Sequence, residues 1–295
     1  MKQGIVLTRF LQLSEWQSAT DLCSLSEAPS SGLILAPERM RISNVVRPVL
    51  SPAALSTFHD ILYPGVQHFA AADEPSDDSL PWSEKHTVLE WRGDSSGGYA
   101  SFLNWRQLQR QRMAALGSGK NHNLETTLFK QPDVVADAAR HESQRRITVD
   151  QWLDVGFTNI TSCEEAACEA MRKELGTKEE MTAQQLTASK LILTMDGNGA
   201  ITDFYKLLKS SSAVVRQGLM REWHDSRLVP WLHYIPLSME MREMPEMLEY
   251  LLGDGDETAE AIAQAGKEWA DEALRREDMN VYIFRLLIEM GRRSY

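Results

Sequence analysis

The clearest pattern along the chain is a short apolar run followed by a glycine turn and then by apolar residues at helical spacing. Residues 191–195 form the apolar run, and the sequence Asp-Gly-Asn-Gly follows it at 196–199. Phe204, Leu207 and Leu208 then recur at the spacing of one helix face. This segment predicts a strand, a glycine loop and a helix in succession.

An earlier segment repeats this order. Residues 88–91 predict a short strand, and a glycine-rich loop follows at 92–98. The next helix is marked by Phe102, Trp105, Leu108 and Met113. A loop of this kind points several backbone N–H groups outward, and together with the helix dipole these donors suit a phosphate. Because ligands of parallel α/β sheets bind at the carboxyl ends of the strands, we expect both loops on one binding face.

The remaining pattern favours an α/β fold with a mainly parallel sheet. We expect further strands at 33–35, 45–50 and 155–160, and a polar loop or insertion at 116–150. Helices are predicted at 163–175 and at 245–252. A third helix follows with Asp256 or Thr258 as its N-cap, and a last helix begins at Asp278. In the last helix we expect four apolar side chains to face the core: Val281, Phe284, Leu287 and Ile288.

Composition narrows the classes of partner. The 295 residues carry a formal net charge of −11 and no basic block, which argues against nucleic acid. The cationic residues Arg106, Arg110, Arg112 and Lys120 cluster, and their spacing predicts a solvated helix face. No apolar run reaches the length of about 20 residues that a membrane-spanning helix needs.

The titratable and sulfur-containing residues give weaker signals. The chain has 3 cysteines; Cys163 and Cys168 are close enough to pair, but composition alone favours ordinary buried thiols. His224 and His233 lack a metal-ligand spacing and have no third ligand nearby, so we expect packing or hydrogen-bonding roles. Asp60 is a weak candidate base, and a loop or cap hydrogen bond is its alternative role.

Several short motifs are spread over most of the chain: STFHDILYP at 56–64, WRG at 91–93, SGGY at 96–99, NWR at 104–106, RQR at 110–112, DGNG at 196–199, REWH at 221–224 and HYIP at 233–236. In this order and spacing they resemble glycosyltransferase family 90, which includes fungal capsule-associated xylosyltransferases and animal protein O-glucosyltransferases. Asp154 to Thr158, with Cys163 and Cys168, also fits the fungal branch.

The resemblance implies a GT-B-like architecture with a Rossmann-like C-terminal half that binds a nucleotide sugar, UDP-xylose or UDP-glucose. We expect residues 81–295 to form this donor-binding domain and residues 1–80 to be a remnant of an incomplete N-terminal, acceptor-side half. The acceptor would be a hydroxyl on a glycan or protein. The family works in the Golgi and secretory lumen, although no signal or anchor is visible in the sequence, which leaves the compartment open.

The resemblance also supplies candidate donor-binding residues. They are Arg92, Gly93, Asp94, Ser95, Gly97 and Gly98 on the first loop, Asp196, Gly197, Asn198, Gly199, Thr202 and Asp203 on the second, and Glu222 beyond it. For Arg92 the alternatives are a phosphate contact and a structural salt bridge. For Glu222 they are a contact to the ribose or base and a buried helix start. No catalytic base and no protein metal site are assigned.

The chain departs from the family pattern at positions that matter for charge. Asp94 stands where the family has Ser or Thr, and Ile201 and Asp203 stand where it has a small or hydroxyl residue and an Arg. Carboxylates near a diphosphate disfavour binding unless a cation such as Mg²⁺ or Mn²⁺ is shared. Two hypotheses therefore remain: a glycosyltransferase that uses a UDP-sugar, and a catalytically degenerate member (a pseudoenzyme) that acts as a binding or scaffold protein.

Overall fold

The computed structural model describes residues 20–23, 32–38, 45, 48–73, 78, 80–119, 149–199, 201 and 203–293. The first part of the chain holds short elements: α1 (Gly32–Leu35), β1 (Leu50–Ser51), β2 (Ala53–Ala54), β3 (Ile61–Leu62) and α2 (Val66–Asp73). Residues 33–35, predicted as a strand, are therefore helical. The strand predicted at 45–50 begins only at Leu50, among the residues of that segment that are described.

The central part alternates strands with helices, as the apolar pattern predicts. Its elements are β4 (His86–Asp94), α3 (Gln109–Gly117), β5 (Leu153–Asn159), α4 (Glu165–Glu174), α5 (Ala183–Leu186), β6 (Ser189–Met195), α6 (Phe204–Leu208), β7 (Ala213–Gln217), β8 (Arg221–Glu222) and β9 (Ile235–Pro236). Most of the loop predicted at 116–150 lies outside the described residues.

The main sheet has five strands, all parallel, in the order β5–β4–β6–β7–β9. Numbered by their order in the chain, these strands run 2-1-3-4-5, which is the order of doubly wound, flavodoxin-like sheets. The direction of winding reverses between β4 and β6, where Leu89 pairs with Leu191. This confirms the α/β class and a Rossmann-like sheet.

The sheet is covered on both faces. Every residue of β6 is buried, which is typical of a central parallel strand. Leu191 and Leu193 join one apolar cluster with residues of α3, α4 and α7, while Ile192 joins a second cluster with Phe204 of α6. Side chains on a strand alternate between faces, so one short apolar run supplies both cores.

Three helices complete the chain: α7 (Met244–Leu251), α8 (Asp256–Ala273) and α9 (Arg276–Arg293). They begin close to the predicted positions, but Gly255 rather than Asp256 or Thr258 occupies the N-cap of α8. Within the described residues, every helix is too short or too polar to cross a bilayer.

The predicted inward face of α9 is wrong. Its four apolar side chains are all exposed: Val281, Phe284, Leu287 and Ile288. The core contacts come instead from Met279, which is fully buried, and from Tyr282, which packs partly buried against the second cluster. The helix therefore packs through a different face from the one that apolar spacing selects.

The expectation of two free thiols is also wrong, because Cys163 and Cys168 form a disulfide with their Cα atoms 5.6 Å apart. The bond joins the loop after β5 to the first turns of α4. A neighbouring bridge pairs Ala100 with Cys163, so the disulfide lies beside the segment that follows the first glycine loop. Cys23 is free and exposed.

Candidate functional site

The two glycine loops, which we call the β4 loop (residues 95–98) and the β6 loop (residues 196–199), lie against each other at the carboxyl edge of the sheet. The N–H of Gly98 donates to Asn198 Oδ1 over 2.9 Å. A Cβ placed on Gly97 would lie 3.5 Å from the Cα of Gly197. Since β4 and β6 flank the point where the winding reverses, the loops meet where sheets of this order bind ligands.

An open cleft lies between the ends of these strands. Its volume is about 370 Å³, within the range of small-ligand sites. The predicted donor-binding residues that line it are Arg92, Gly93, Asp94, Gly197, Asn198, Gly199 and Asp203. The cleft is also lined by Ser96, Arg110 and Ile201. Among the lining residues, Asp203 is exposed to solvent. Thr202 lies outside the described residues.

Arg110 of α3 is, with Arg92, one of two arginines among the described residues that line this cleft. Its Nη1 donates to Asp94 Oδ1 over 2.7 Å, its Nη2 to the carbonyl of Met195 over 2.9 Å, and its Nε to the carbonyl of Asp196 over 3.2 Å. The guanidinium thus holds both glycine loops. Burial lowers the pKa of Arg110, and the neighbouring carboxylate of Asp94 acts in the opposite direction.

This placement corrects the prediction of a solvated cationic face. Arg110 is largely buried, and Arg112 is buried with its guanidinium donating to the carbonyl of Met239. Only Arg106 behaves as predicted: it is exposed and pairs with Glu174. Lys120 lies outside the described residues. The spacing of the arginines could not show that α3 packs under two loops from other parts of the chain.

Asp94 collects donors at the rim of the cleft. Its Oδ1 accepts from the Oγ of Ser96 over 2.6 Å and from the N–H of Ser96 over 3.2 Å, in addition to Arg110. The Asp94 side chain is nevertheless 45 % exposed. The carboxylate therefore sits between a set of fixed donors and solvent.

Ser95 and Asp196 are predicted site residues that do not line the cleft. Ser95 is fully buried, and its Oγ donates to the carbonyl of Thr161 and accepts from the N–H of the same residue, each over 2.8 Å. Asp196 is also fully buried, and its carboxylate accepts from the N–H of Leu219 and from Gln109 Nε2, both over 2.6 Å. These residues build the loops rather than line the cavity.

Arg92 lines the cleft, but it also forms ion pairs within the protein, as expected if its role is a structural salt bridge. Its Nη1 lies 2.8 Å from Glu90 Oε1, and its Nη2 lies 3.0 Å from Asp154 Oδ1. Burial, with a further contribution from Asp154, raises the pKa of Glu90 to about 7. A phosphate contact from Arg92 stays a prediction.

Comparison with known proteins decides the family. The family model described as glycosyl transferase family 90 matches residues 39–293. The chain belongs to glycosyl transferase family 90. The match confirms the resemblance.

The curated relatives are distant and longer. Human protein O-glucosyltransferase 1 is 28 % identical over 106 residues, which cover 35 % of this chain and 26 % of the relative. Rat protein O-glucosyltransferase 3 is 27 % identical over 145 residues, or 49 % of this chain and 27 % of the relative. An uncharacterized protein, 027R of Frog virus 3 (isolate Goorha), is 25 % identical over 244 residues, or 75 % and 23 %. The aligned region spans about a quarter of the length of each relative.

Glu222 of this family 90 chain is not among the residues that line the cleft. It is buried, and its Oε2 lies 2.9 Å from His68 Nε2, while Arg216 Nη2 lies 3.6 Å from its Oε1. These contacts agree with the buried alternative for Glu222, and its contact to a donor stays a prediction. β8, not a helix, carries the residue.

The same region corrects the statement that His224 has no third ligand nearby. The side chains of His68, Glu222 and His224 lie close enough to hold a metal ion. However, His68 Nδ1 accepts from the N–H of Gly65 over 2.9 Å, so its Nε2 carries the proton that is donated to Glu222. A metal-bound histidine needs the opposite arrangement, with its second nitrogen donating. The cluster fits a hydrogen-bonded network better than a metal site.

The first part of the chain closes one side of the β4 loop. Gly97 and Gly98 have φ values of 104° and 109°, which favour glycine, and Tyr99 N–H donates to the carbonyl of Ala36 over 2.7 Å. A Cβ on Gly98 would lie 2.3 Å from the carbonyl oxygen of Gly32. Asp60, the weak candidate base, accepts from Ser51 Oγ, which agrees with its structural alternative.

Proposed function

We propose that this family 90 protein binds a UDP-sugar in the cleft between the β4 and β6 loops and transfers the sugar to a hydroxyl on a glycan or protein. The observation that carries the proposal is the contact between the loops at the reversal point of the sheet, beside Arg110. In a GT-B-like arrangement this sheet would be the donor-binding half. UDP-xylose and UDP-glucose are the candidate donors.

The chemistry supports a role in leaving-group stabilisation. Glycosyl transfer leaves a diphosphate, and preorganised N–H groups and cations favour such a group. The β6 loop offers backbone at Gly197 and Gly199 to the cleft, and Arg110 supplies a fixed positive charge. No residue is assigned as the base that takes the acceptor proton.

The carboxylates in the cleft favour the second candidate function, a catalytically degenerate member that acts as a binding or scaffold protein. Asp94 and Asp203 both line the cavity and would repel a diphosphate. Two carboxylates that line one cleft are also the kind of ligands through which Mg²⁺ or Mn²⁺ is shared with a diphosphate. A divalent cation bound together with the UDP-sugar therefore stays part of the proposal.

The disulfide supports a location of the protein in an oxidising compartment. The secretory lumen, which the family resemblance implies, is such a compartment. Disulfides persist in the secretory pathway and are rare in the cytosol of most organisms.

Calorimetric titration with UDP tests the proposal, with and without Mn²⁺. We expect saturable binding to the folded protein at millimolar or lower UDP. Gly197→Val should abolish it, because a Cβ at this position already lies 3.0 Å from Arg110 Nη2 and 3.1 Å from Ser96 Oγ. Gly291→Val is the matched control, since nothing lies within 4 Å of a Cβ there. Absence of UDP binding by the folded wild type would contradict the proposal.

A further inference from the structure

The donors around Asp94 have the composition of an anion site. A guanidinium N–H, a backbone N–H and a hydroxyl converge on one carboxylate oxygen, with distances of 2.7, 3.2 and 2.6 Å. The same donor types bind phosphate oxygens in other proteins, where the contacts are charge-assisted. Here the anion that they hold belongs to the chain itself.

The anion is also placed where a ligand would meet it. Asp94 ends β4, and both Asp94 and Ser96 line the cleft. The carboxylate is 45 % exposed, whereas the Arg110 side chain beneath it is only 13 % exposed. The guanidinium of Arg110 is therefore fixed by burial, while the carboxylate has room on the solvent side to turn away.

We propose that Asp94 is an internal competitor of the nucleotide diphosphate: its carboxylate occupies the donors of Arg110 and Ser96 and sets the affinity of the cleft. This inference rests on the proposed function. A diphosphate oxygen that takes these donors must displace the carboxylate, and the displaced carboxylate stays nearby as a like charge. Asp94 thereby weakens binding of anionic donors without closing the cavity.

The competitor role differs from a general effect of negative charge. Asp203 also lines the cleft, but it is exposed and is not among the hydrogen-bond partners of Arg110. A change at Asp203 alters the field of the cleft and leaves the donors of Arg110 and Ser96 occupied. The two aspartates therefore form a matched pair for a test.

The test is a calorimetric titration of UDP into the wild type, Asp94→Asn, Asp94→Ser and Asp203→Asn, after thermal melting has shown that each variant is folded. Asparagine keeps the size of the side chain and removes its charge, and serine vacates the donors. We expect both Asp94 variants to bind UDP at least about tenfold more tightly than the wild type. Asp203→Asn should gain clearly less affinity for UDP. This gain should fade in 1 M salt, where the effect of the exposed Asp203 charge on UDP is screened.

The outcomes separate this inference from the proposed function. If the wild type binds UDP and the Asp94 variants bind equally or more weakly, the competitor role is overturned while the cleft stands. It is overturned too if Asp203→Asn gains as much as Asp94→Asn. If none of the folded proteins binds UDP, the proposed function fails and takes this inference with it. Tight binding of UDP by the Asp94 variants, with weak binding by the wild type, supports both the proposed function and the competitor role.

Discussion

At the scale of single residues, Asp196 shows how a buried carboxylate shapes the cleft that it does not line. Its oxygens accept from Gln109 on α3 and from the N–H groups of Leu219 and Met220 after β7. Three separate parts of the chain thus meet at one side chain. The Asp-Gly-Asn-Gly motif was predicted to contact a ligand directly, but its first residue instead fixes the loop.

Asp196→Ala should destabilise the protein by about 3 kcal/mol, because it leaves several buried donors without an acceptor. The free energy of unfolding in urea measures this effect. Asp271→Ala on α8, where the side chain is exposed, is the control and should change stability by less than about 0.5 kcal/mol. A loss at Asp196 no larger than at Asp271 would show that the network does not form.

The pKa of Glu90 predicts how the stability of the protein depends on pH. Its pKa is raised from 4.5 to about 7, chiefly because burial disfavours the charged form. The folded state therefore binds this proton more tightly than the unfolded state does, so the contribution of Glu90 to stability falls as pH rises from about 4.5 to 7 and is constant above.

Glu90→Gln, which mimics the protonated form, should match the wild type at pH 4.5 and exceed its stability by about 3 kcal/mol at pH 8. Unfolding in urea at both pH values provides the measurement. Parallel pH profiles for the two proteins would mean that Glu90 is not buried in this way.

At the scale of elements, the β4 loop depends on two glycines for different reasons. At Gly97 an added Cβ meets only ordinary contacts, so Gly97→Ala should cost about 1 to 3 kcal/mol through its positive φ alone. At Gly98 the Cβ would also collide with Gly32 of α1. Gly98→Ala should therefore cost at least about 1 kcal/mol more. Thermal melting of the two variants measures the difference, and equal losses would show that α1 does not pack here.

The disulfide gives a second prediction at this scale. Replacing both Cys163 and Cys168 by Ala should lower the free energy of unfolding by about 2 kcal/mol, since the bond closes a short loop. A reducing agent should lower the melting temperature of the wild type but not of the variant. Cys23→Ala, at an exposed free thiol, is the control. Insensitivity of the wild type to reduction would contradict the bond.

Elements were predicted well where local pattern decides them. The apolar run that became β6 and the glycine turn after it were readable because burial on both faces demands a continuous apolar strand. The buried face of α9 was not predicted correctly, because Val281 and Phe284 have the right spacing for packing and yet face solvent. Which of two apolar stripes meets the core depends on neighbours that are distant in sequence.

At the scale of the whole molecule, strand order determines what the site can be. The sequence predicted that both glycine loops would lie at the carboxyl edge of a parallel sheet, since every strand of such a sheet points the same way. It did not predict that β4 and β6 would be neighbours, nor that Arg110 would join their loops. Those features come from long-range pairing, which residue spacing does not encode.

Amide hydrogen exchange with and without UDP tests most directly whether the two loops form one nucleotide site. We expect UDP to slow exchange together in peptides that contain residues 96–99 and residues 197–199, with half-maximal protection at the same UDP concentration for both. Helix α9, which contributes no residue to the cleft lining, should show no change. Protection of one loop without the other, or of neither, would contradict a shared cleft.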